Sequence, residues 1–487
     1  MKDGKITGRR GTGGAYSGEK DMGDLSNWRI LSSDANDILA GNYRVLSERS
    51  GTLYHTYPPV RGAVNKKTMY AIGPGLVFRS QPDYSMIGQS QDWAVGWGKE
   101  FQKIVDYYFR EIGFYGKQSA LYRTSLFGGD SLLFFDRKDG KLNDLIEVSG
   151  DQIDDCYHPE GYTLGIKHDK YFRREGIHKV DGTDVSFQDA EGYQNIIQYY
   201  KKELARQLRG YPLAYSVINL ARNDDTHTDA TTHRAVMEAI IMAVFKGNGT
   251  NINSQIDNLA KKNAALQAGK TTTPKTNVFN RVASALKLGS GNILTMNNTE
   301  DMEFLDMKTP SNNFEPYKDY MVKYVGMATD VPPEVIASMY STSFTAHKGA
   351  FNDFIASFMM DRKNFERIVM NTVIREIAKD AIQQGFISAP GFFEGGRFTQ
   401  AAYLKGMYLG PVPGHINPLV EVKADELSVK NQFKLRSDVA SMNGHEFDTF
   451  VGEWAKEQDN FVKSPQSYAD VTERETAGSE VDNNSNI

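Results

Sequence analysis

Two helical stretches separated by a proline pair constrain this chain more than any other feature. Across residues 346–383 apolar side chains recur at helical spacing, through Phe351, Phe354, Phe358, Phe365, Val369, Val373 and Ile377. At about 1.5 Å per residue this is a rod of roughly 50 Å, enough to span a whole domain. Residues 313–328 form an amphipathic helix before it. Phe314, Tyr317, Tyr320, Met321, Tyr324 and Val325 lie on one side, and Glu315, Lys318, Asp319 and Lys323 occupy much of the rest. Pro332-Pro333 ends that helix, because proline lacks the N–H that would continue it. Residues 330–343 are therefore expected as a loop held between two long helices.

The rest of the chain alternates between classes. Helices are expected over residues 34–56, 60–70, 93–112 and 117–127, with a short strand at 76–79 after Gly73-Pro74-Gly75. After Gly128-Gly129 come short β-type runs at 131–136, 145–149, 162–168 and 196–200, as in a small mixed sheet. Helices return at 213–221 and 229–246. The second has apolar residues on more than one side, which fits either a core helix of a monomer or one shared between subunits. Further helices are expected at 253–268 and 279–288, and a strand at 292–296. The fold class is α+β and mainly helical. The first 30 residues and the last 24 read as flexible ends.

Charge is unevenly spread. The net charge is -5, yet residues 464–487 carry Asp470, Glu473, Glu475, Glu480 and Asp482 against Arg474 alone. Residues 254–289 run the other way, with Lys261, Lys262, Lys270, Lys275, Arg281 and Lys287 against Asp257. That segment is either a solvated face or a contact to phosphates or an acidic protein. The near-neutral bulk argues against a tight, sequence-reading DNA binder. No apolar run reaches the length of a membrane span, and the polar start MKDGKITGRRGTGG lacks a secretory core, so folding is expected in the cytoplasm and no membrane partner is expected. One cysteine, Cys156, excludes an internal disulfide and is expected to be structural.

No catalytic constellation stands out. Gly269-Lys270-Thr271 imitates the end of a phosphate-binding loop, but Ala264 stands where that motif needs glycine, and a helix rather than a strand precedes it. His227 and His233 are six apart and share no helix face, so they read as cap or surface residues. No serine sits in a nucleophile elbow. Neither a metal nor a cofactor is expected, and the chain is not expected to be an enzyme.

The order of motifs then carries the functional reading. Residues 60–80 (VRGAVNKKTMYAIGPGLVFRS), Gly128-Gly129-Asp130, Arg209-Gly210-Tyr211-Pro212, residues 330–336 and residues 410–418 (GPVPGHINP) follow one another as in the lambda-like portal proteins of tailed phages, which this chain resembles. Asn417 replaces that family's usual Asp, Val420 stands where Lys is common, and Ser343-Phe344-Thr345-Ala346 departs from the usual loop end.

The resemblance implies a portal fold assembling into a twelve-subunit ring at one capsid vertex, a channel for DNA packaging and ejection. It divides the chain into a flexible N-terminus (1–30), wing (31–228), stem helix (229–246), clip (247–312), second stem helix (313–329), tunnel loop (330–343), long helix and wing (344–384), crown (385–463) and flexible acidic tail (464–487). Tunnel-loop residues toward DNA would be Val331, Pro332, Pro333, Glu334, Met339, Tyr340, Ser341 and Thr342. Lys261, Lys262, Lys270 and Lys275 of the clip would meet terminase and then neck proteins. Implied partners are other copies of the chain, major capsid and scaffold proteins, the terminase large subunit, neck or head-tail adaptors, and double-stranded DNA in transient, non-specific contact. The location implied is the virion, after assembly in the host cytoplasm. The alternatives are another head-tail connector or capsid protein, or a DNA-processing enzyme, which would need a metal-binding carboxylate cluster.

Overall fold

The structure is a computed structural model and describes residues 34–240, 244–247, 300–303, 314–339, 344–411, 418–442 and 447–463. The chain divides into two units, residues 219–324 and the remainder.

In the larger unit the expected first helix is two, α1 (Ala35–Leu39) and α2 (Tyr43–Thr56). The Asp34 carboxylate accepts from the Asn36 N–H at 2.8 Å to cap α1, and Gly41, at φ +71°, turns the chain between them. Pro58-Pro59 end α2 and also begin α3 (Pro58–Ala71), since a first turn leaves its N–H groups unpaired anyway. Three further helices follow: α4 (Tyr84–Ile87), α5 (Gln91–Glu111) and α6 (Phe114–Gly128). The helical spacing of Trp97, Phe101, Val105 and Tyr108 puts all four on the buried face of α5.

The β-region is two antiparallel sheets. In the first, β2 (Asp130–Lys138) lies between β3 (Lys141–Ser149) and β8 (Ile196–Tyr200); the second runs β4 (Tyr162–Thr163), β5 (Ile166–His168), β6 (Arg174–His178), β7 (Asp184–Ser186). The run expected at 162–168 is a tight hairpin. Leu164 and Gly165 both have positive φ, the conformation a two-residue turn needs to match strand twist. Strands β6 and β7 are additions to the sequence reading, because their short, polar composition gives no apolar alternation. Leu132, Ile153, Ile166, Ile177, Ile196 and Leu208 form one core cluster across these strands and the loops beside them.

The expected rod is a continuous helical run: α10 (Phe344–Phe365), a π-helical turn (Glu366–Met370) and α11 (Asn371–Gln383). Its buried face carries charges as well as apolar groups. Glu376 accepts from Arg137 at 2.7 Å, Lys379 at 2.9 Å and the Gln194 backbone N–H at 3.2 Å. Asp380 accepts from the Leu142 N–H at 3.1 Å, Gln384 at 2.7 Å and the Tyr108 hydroxyl. Helix α11 is thereby tied to α5 and to both ends of the β-region. In the π-helical turn, Glu366 is buried with one carboxylate oxygen lacking a hydrogen-bond partner, and burial raises its pKa despite Lys363 at 2.7 Å. Beyond the rod come α12 (Gly396–Tyr403), β11 (Gly406–Leu409), α13 (Pro418–Lys430), α14 (Arg436–Met442) and α15 (Phe447–Lys463). Strand β11 pairs antiparallel with β1 (Val77–Ser80), Val77 opposite Leu409 and Ser80 opposite Gly406.

The smaller unit holds most of α7 (Ile218–Ile240) and of α8 (Phe314–Thr329). Lys318 reaches Asp224 at 2.8 Å, and exposed His227 packs on Tyr317 at 4.5 Å between ring centres. The helix expected over 229–246 starts earlier and ends at Ile240. Val244–Gly247 is instead a strand, β9, antiparallel to β10 (Glu300–Glu303). Cross-strand partners override the helical spacing there, and Val244 and Phe245 suit a strand. The elements expected at 253–268, 279–288 and 292–296 lie outside the described residues, as do both expected flexible ends. Among the described residues no helix is long and apolar enough to cross a membrane.

Candidate functional site

The proline-punctuated segment is not loop throughout. Thr329 ends α8 and turns its hydroxyl back to the Val325 carbonyl at 2.8 Å. Asp330 takes a left-handed φ of +55°, and the Val331 N–H returns to the Gly326 carbonyl at 3.2 Å. Only glycine fits at 326, since a Cβ there would lie 2.8 Å from the Val331 carbonyl oxygen. Pro333 then opens a short helix, α9 (Pro333–Ala337), its fixed φ suiting a first helical position. Ser338, left-handed at φ +53°, closes it, and Met339 follows, 69% exposed.

Burial divides the segment. Val331 and Val335 are buried, and α9 lies against α3 where a Cβ on Gly62 would come within 3.2 Å of Ile336. Val331, expected toward DNA, is thus a packing residue, because the tight turn at Asp330 aims it inward. Pro332, Pro333 and Glu334 are half-buried. Met339 is the expected contact residue that the structure leaves open. Tyr340, Ser341 and Thr342 lie outside the described residues, as do Lys261, Lys262, Lys270 and Lys275. Beneath the turn a cavity of about 50 Å³, with Tyr122, Tyr199, Lys201, Tyr215, Ala328 and Asp330 in its lining, has room for ordered water. Lys201 faces Asp330 at 3.6 Å.

Motifs far apart in sequence meet in two buried clusters. In the first, Arg209 donates to Asp130 at 2.5 and 3.1 Å, to the Gly150 carbonyl at 2.6 Å and to the Leu164 carbonyl at 3.2 Å. Its guanidinium lies 3.9 Å from the Tyr43 ring centre, and the Tyr43 hydroxyl donates to Asp130. Gln198 donates to the same carboxylate at 2.8 Å. Burial disfavours the charge on Arg209, but Asp130 and Tyr43 outweigh it and raise the pKa. The glycines beside these residues face each other, so that a Cβ on Gly210 would lie 1.9 Å from the Gly129 oxygen. In the second cluster Arg362 donates to the carbonyls of Ala71 at 2.8 Å, Tyr70 at 2.6 Å and Pro411 at 2.6 Å. A Cβ on Gly410 would strike Leu76 at 2.7 Å and Arg362 at 2.9 Å. The sequence reading missed Arg362, Lys67, Asp361 and Glu376. Their signal was charge at helical spacing among apolar residues: Lys67 and Asp361, 3.0 Å apart, are both buried between α3 and α10.

Three potential ligand atoms, on Asp154, Asp155 and Cys156, lie within 4.8 Å of one another. Asp155 already pairs with Arg44 at 3.5 Å, and Cys156, expected as a structural residue, is exposed.

The family model described as phage portal protein, lambda family, matches residues 22–362. The chain belongs to the lambda family of phage portal proteins. Both buried clusters therefore join motifs by which this portal family member was read from its sequence. Portal proteins are structural. Among solved structures, a chain from the neck of a native GTA particle computed with C12 symmetry is similar at 13% identity and a TM-score of 0.36, over 83% of this chain and 99% of that one. A chain from the virion of a native gene transfer agent particle gives 14% and 0.37 over 83% and 93%. An HK97 family phage portal protein from Corynebacterium diphtheriae gives 13% and 0.25 over 49% and 67%. No curated protein matches.

Proposed function

We propose that this portal chain is the subunit of a twelve-membered ring at one capsid vertex, a channel through which DNA is packaged and ejected. Terminase docks on it first and neck proteins later, and it resides in the virion after assembly in the host cytoplasm. The observation that carries this reading is the family match across α8, α9 and α10, where Val331 and Val335 are packed and Met339 is exposed. In the ring, residues 330–343, including α9, are the tunnel loop. Flexible apolar and hydroxyl side chains suit sliding contact, because each phosphate gripped by a cation would add affinity and slow translocation.

Replacing residues 339–343 by a short Gly-Ser linker leaves Val331 and Val335 in place. The variant is expected to keep a native mass near twelve times 54.5 kDa while filled heads retain less DNA. Unchanged retention removes the loop's role, and a wild-type mass of one subunit removes the ring. Charge reversal of Lys261, Lys262, Lys270 and Lys275 to Glu is expected to lower particle yield by weakening terminase or neck docking; a normal yield rejects those contacts.

A further inference from the structure

The turn between β5 and β6 is built in an unusual way that neither the fold nor the channel reading requires. Its Asp169 carboxylate faces inward and accepts from the backbone N–H groups of Tyr171 and Arg173, both at 2.8 Å. The Asp169 N–H returns to the Arg173 carbonyl at 3.0 Å, which closes the turn. What points outward is basic and aromatic. Tyr171 is 67% exposed, with the Lys170 ammonium 5.0 Å and the Arg173 guanidinium 5.7 Å from its ring centre. The Arg173 side chain is 81% exposed, with its Nε 4.0 Å from the Asp169 carboxylate in a long ion pair. Next to it, Phe172 is stacked between His168, at 4.5 Å, and the guanidinium of Arg206, at 4.1 Å. Phe172 and Arg206 both have left-handed backbones, at φ +61° and +60°. Such conformations persist only where surrounding contacts over-determine them.

We propose that Lys170, Arg173 and Arg206, fixed around Tyr171 and Phe172, form a binding site for the phosphate backbone of duplex DNA, separate from the α8–α9 segment. Four cations (Lys167, Lys170, Arg173, Arg174) stand against Asp169 within eight residues, with Glu175 following, a locally basic turn in a chain that is otherwise net negative. Arg174 turns inward to Gln198 at 3.0 Å and is not counted among the contacts. The turn is held by the Asp169 side chain and by its own backbone pairing, so little ordering cost falls on binding. Phe172 is already stacked against His168 and Arg206, so it offers no open face to an unpaired base, and the exposed cations are matched to phosphates. This site is independent of the tunnel-loop assignment.

The test is binding of the full-length protein to a short fluorescein-labelled DNA duplex, followed by anisotropy across a salt series. In Lys170→Gln/Arg173→Gln both changes are on exposed side chains, and the slope of log K against log salt is expected to fall by about 2. Lys138→Gln/Lys141→Gln removes the same charge at the exposed β2–β3 turn and is expected to leave the slope unchanged. An equal fall in both variants means diffuse attraction and overturns the site; no fall in either also overturns it. Displacement of the duplex by a poly-glutamate peptide as efficiently as by unlabelled duplex assigns the surface to an acidic protein segment and overturns the DNA assignment.

Discussion

Replacing Arg209 by methionine is expected to cost about 3–5 kcal/mol, the range for breaking a buried ion pair by removing one partner. Arg209 and Asp130 are both fully buried, so the change leaves a carboxylate in the core with only Tyr43 and Gln198 as donors. It also strips the donor from the Gly150 and Leu164 carbonyls, and so loosens β2, β3, β5 and the turn before α7 together. Denaturant unfolding followed by circular dichroism measures the loss. Removing the charge on both sides, as Arg209→Met with Asp130→Asn, is expected to recover part of it, because no lone charge then remains. A single substitution that unfolds like the wild type shows that the pair contributes nothing to stability.

Arg362→Met is expected to cost about 3 kcal/mol, because a buried acceptor left without its donor costs about 1–3 kcal/mol, and here one buried and two part-buried carbonyls lose theirs. Two of those carbonyls, Tyr70 and Ala71, belong to the last turn of α3, where helix geometry leaves oxygens without internal partners and concentrates negative potential. The third, on Pro411, lies two residues beyond β11. The same side chain thus fixes the rod to α3 and to the segment that pairs with β1. Arg362→Lys is not expected to restore stability, since an ammonium is a point charge and cannot reproduce a planar fork spanning three oxygens. Burial lowers the pKa of Arg362, which marks the site as one where charge is held at a desolvation cost. Equal unfolding midpoints for Arg362→Lys and the wild type argue against the clamp.

Much of the helical framework was legible because it follows from local spacing. The apolar positions from Phe351 to Ile377 define the rod, and Trp97 to Tyr108 define α5, within residues near in sequence. Proline positions were legible as breaks, but their second use was not. Pro58 and Pro333 each begin a helix, and whether a helix continues past them depends on what its face packs against. For α9 that partner is α3 at Gly62, distant in sequence. The candidate site was located in the sequence as a segment, while the packing of Val331 and Val335 and the exposure of Met339 came from burial.

By itself the sequence determined the α+β class, the rod, the proline-bounded segment and five motifs in portal order. Periodicity and backbone restriction act through neighbours along the chain, so a reader of residues can recover them. Tertiary structure alone decided that these motifs are parts of common sites: Gly129-Asp130 with Arg209-Gly210, and residues 70–77 with 409–411 through Arg362 and the β1–β11 pairing. A four-residue strand or a buried arginine cannot satisfy its own hydrogen-bonding groups. Its partner is chosen by the three-dimensional path of the chain, on which residues hundreds of positions apart become neighbours.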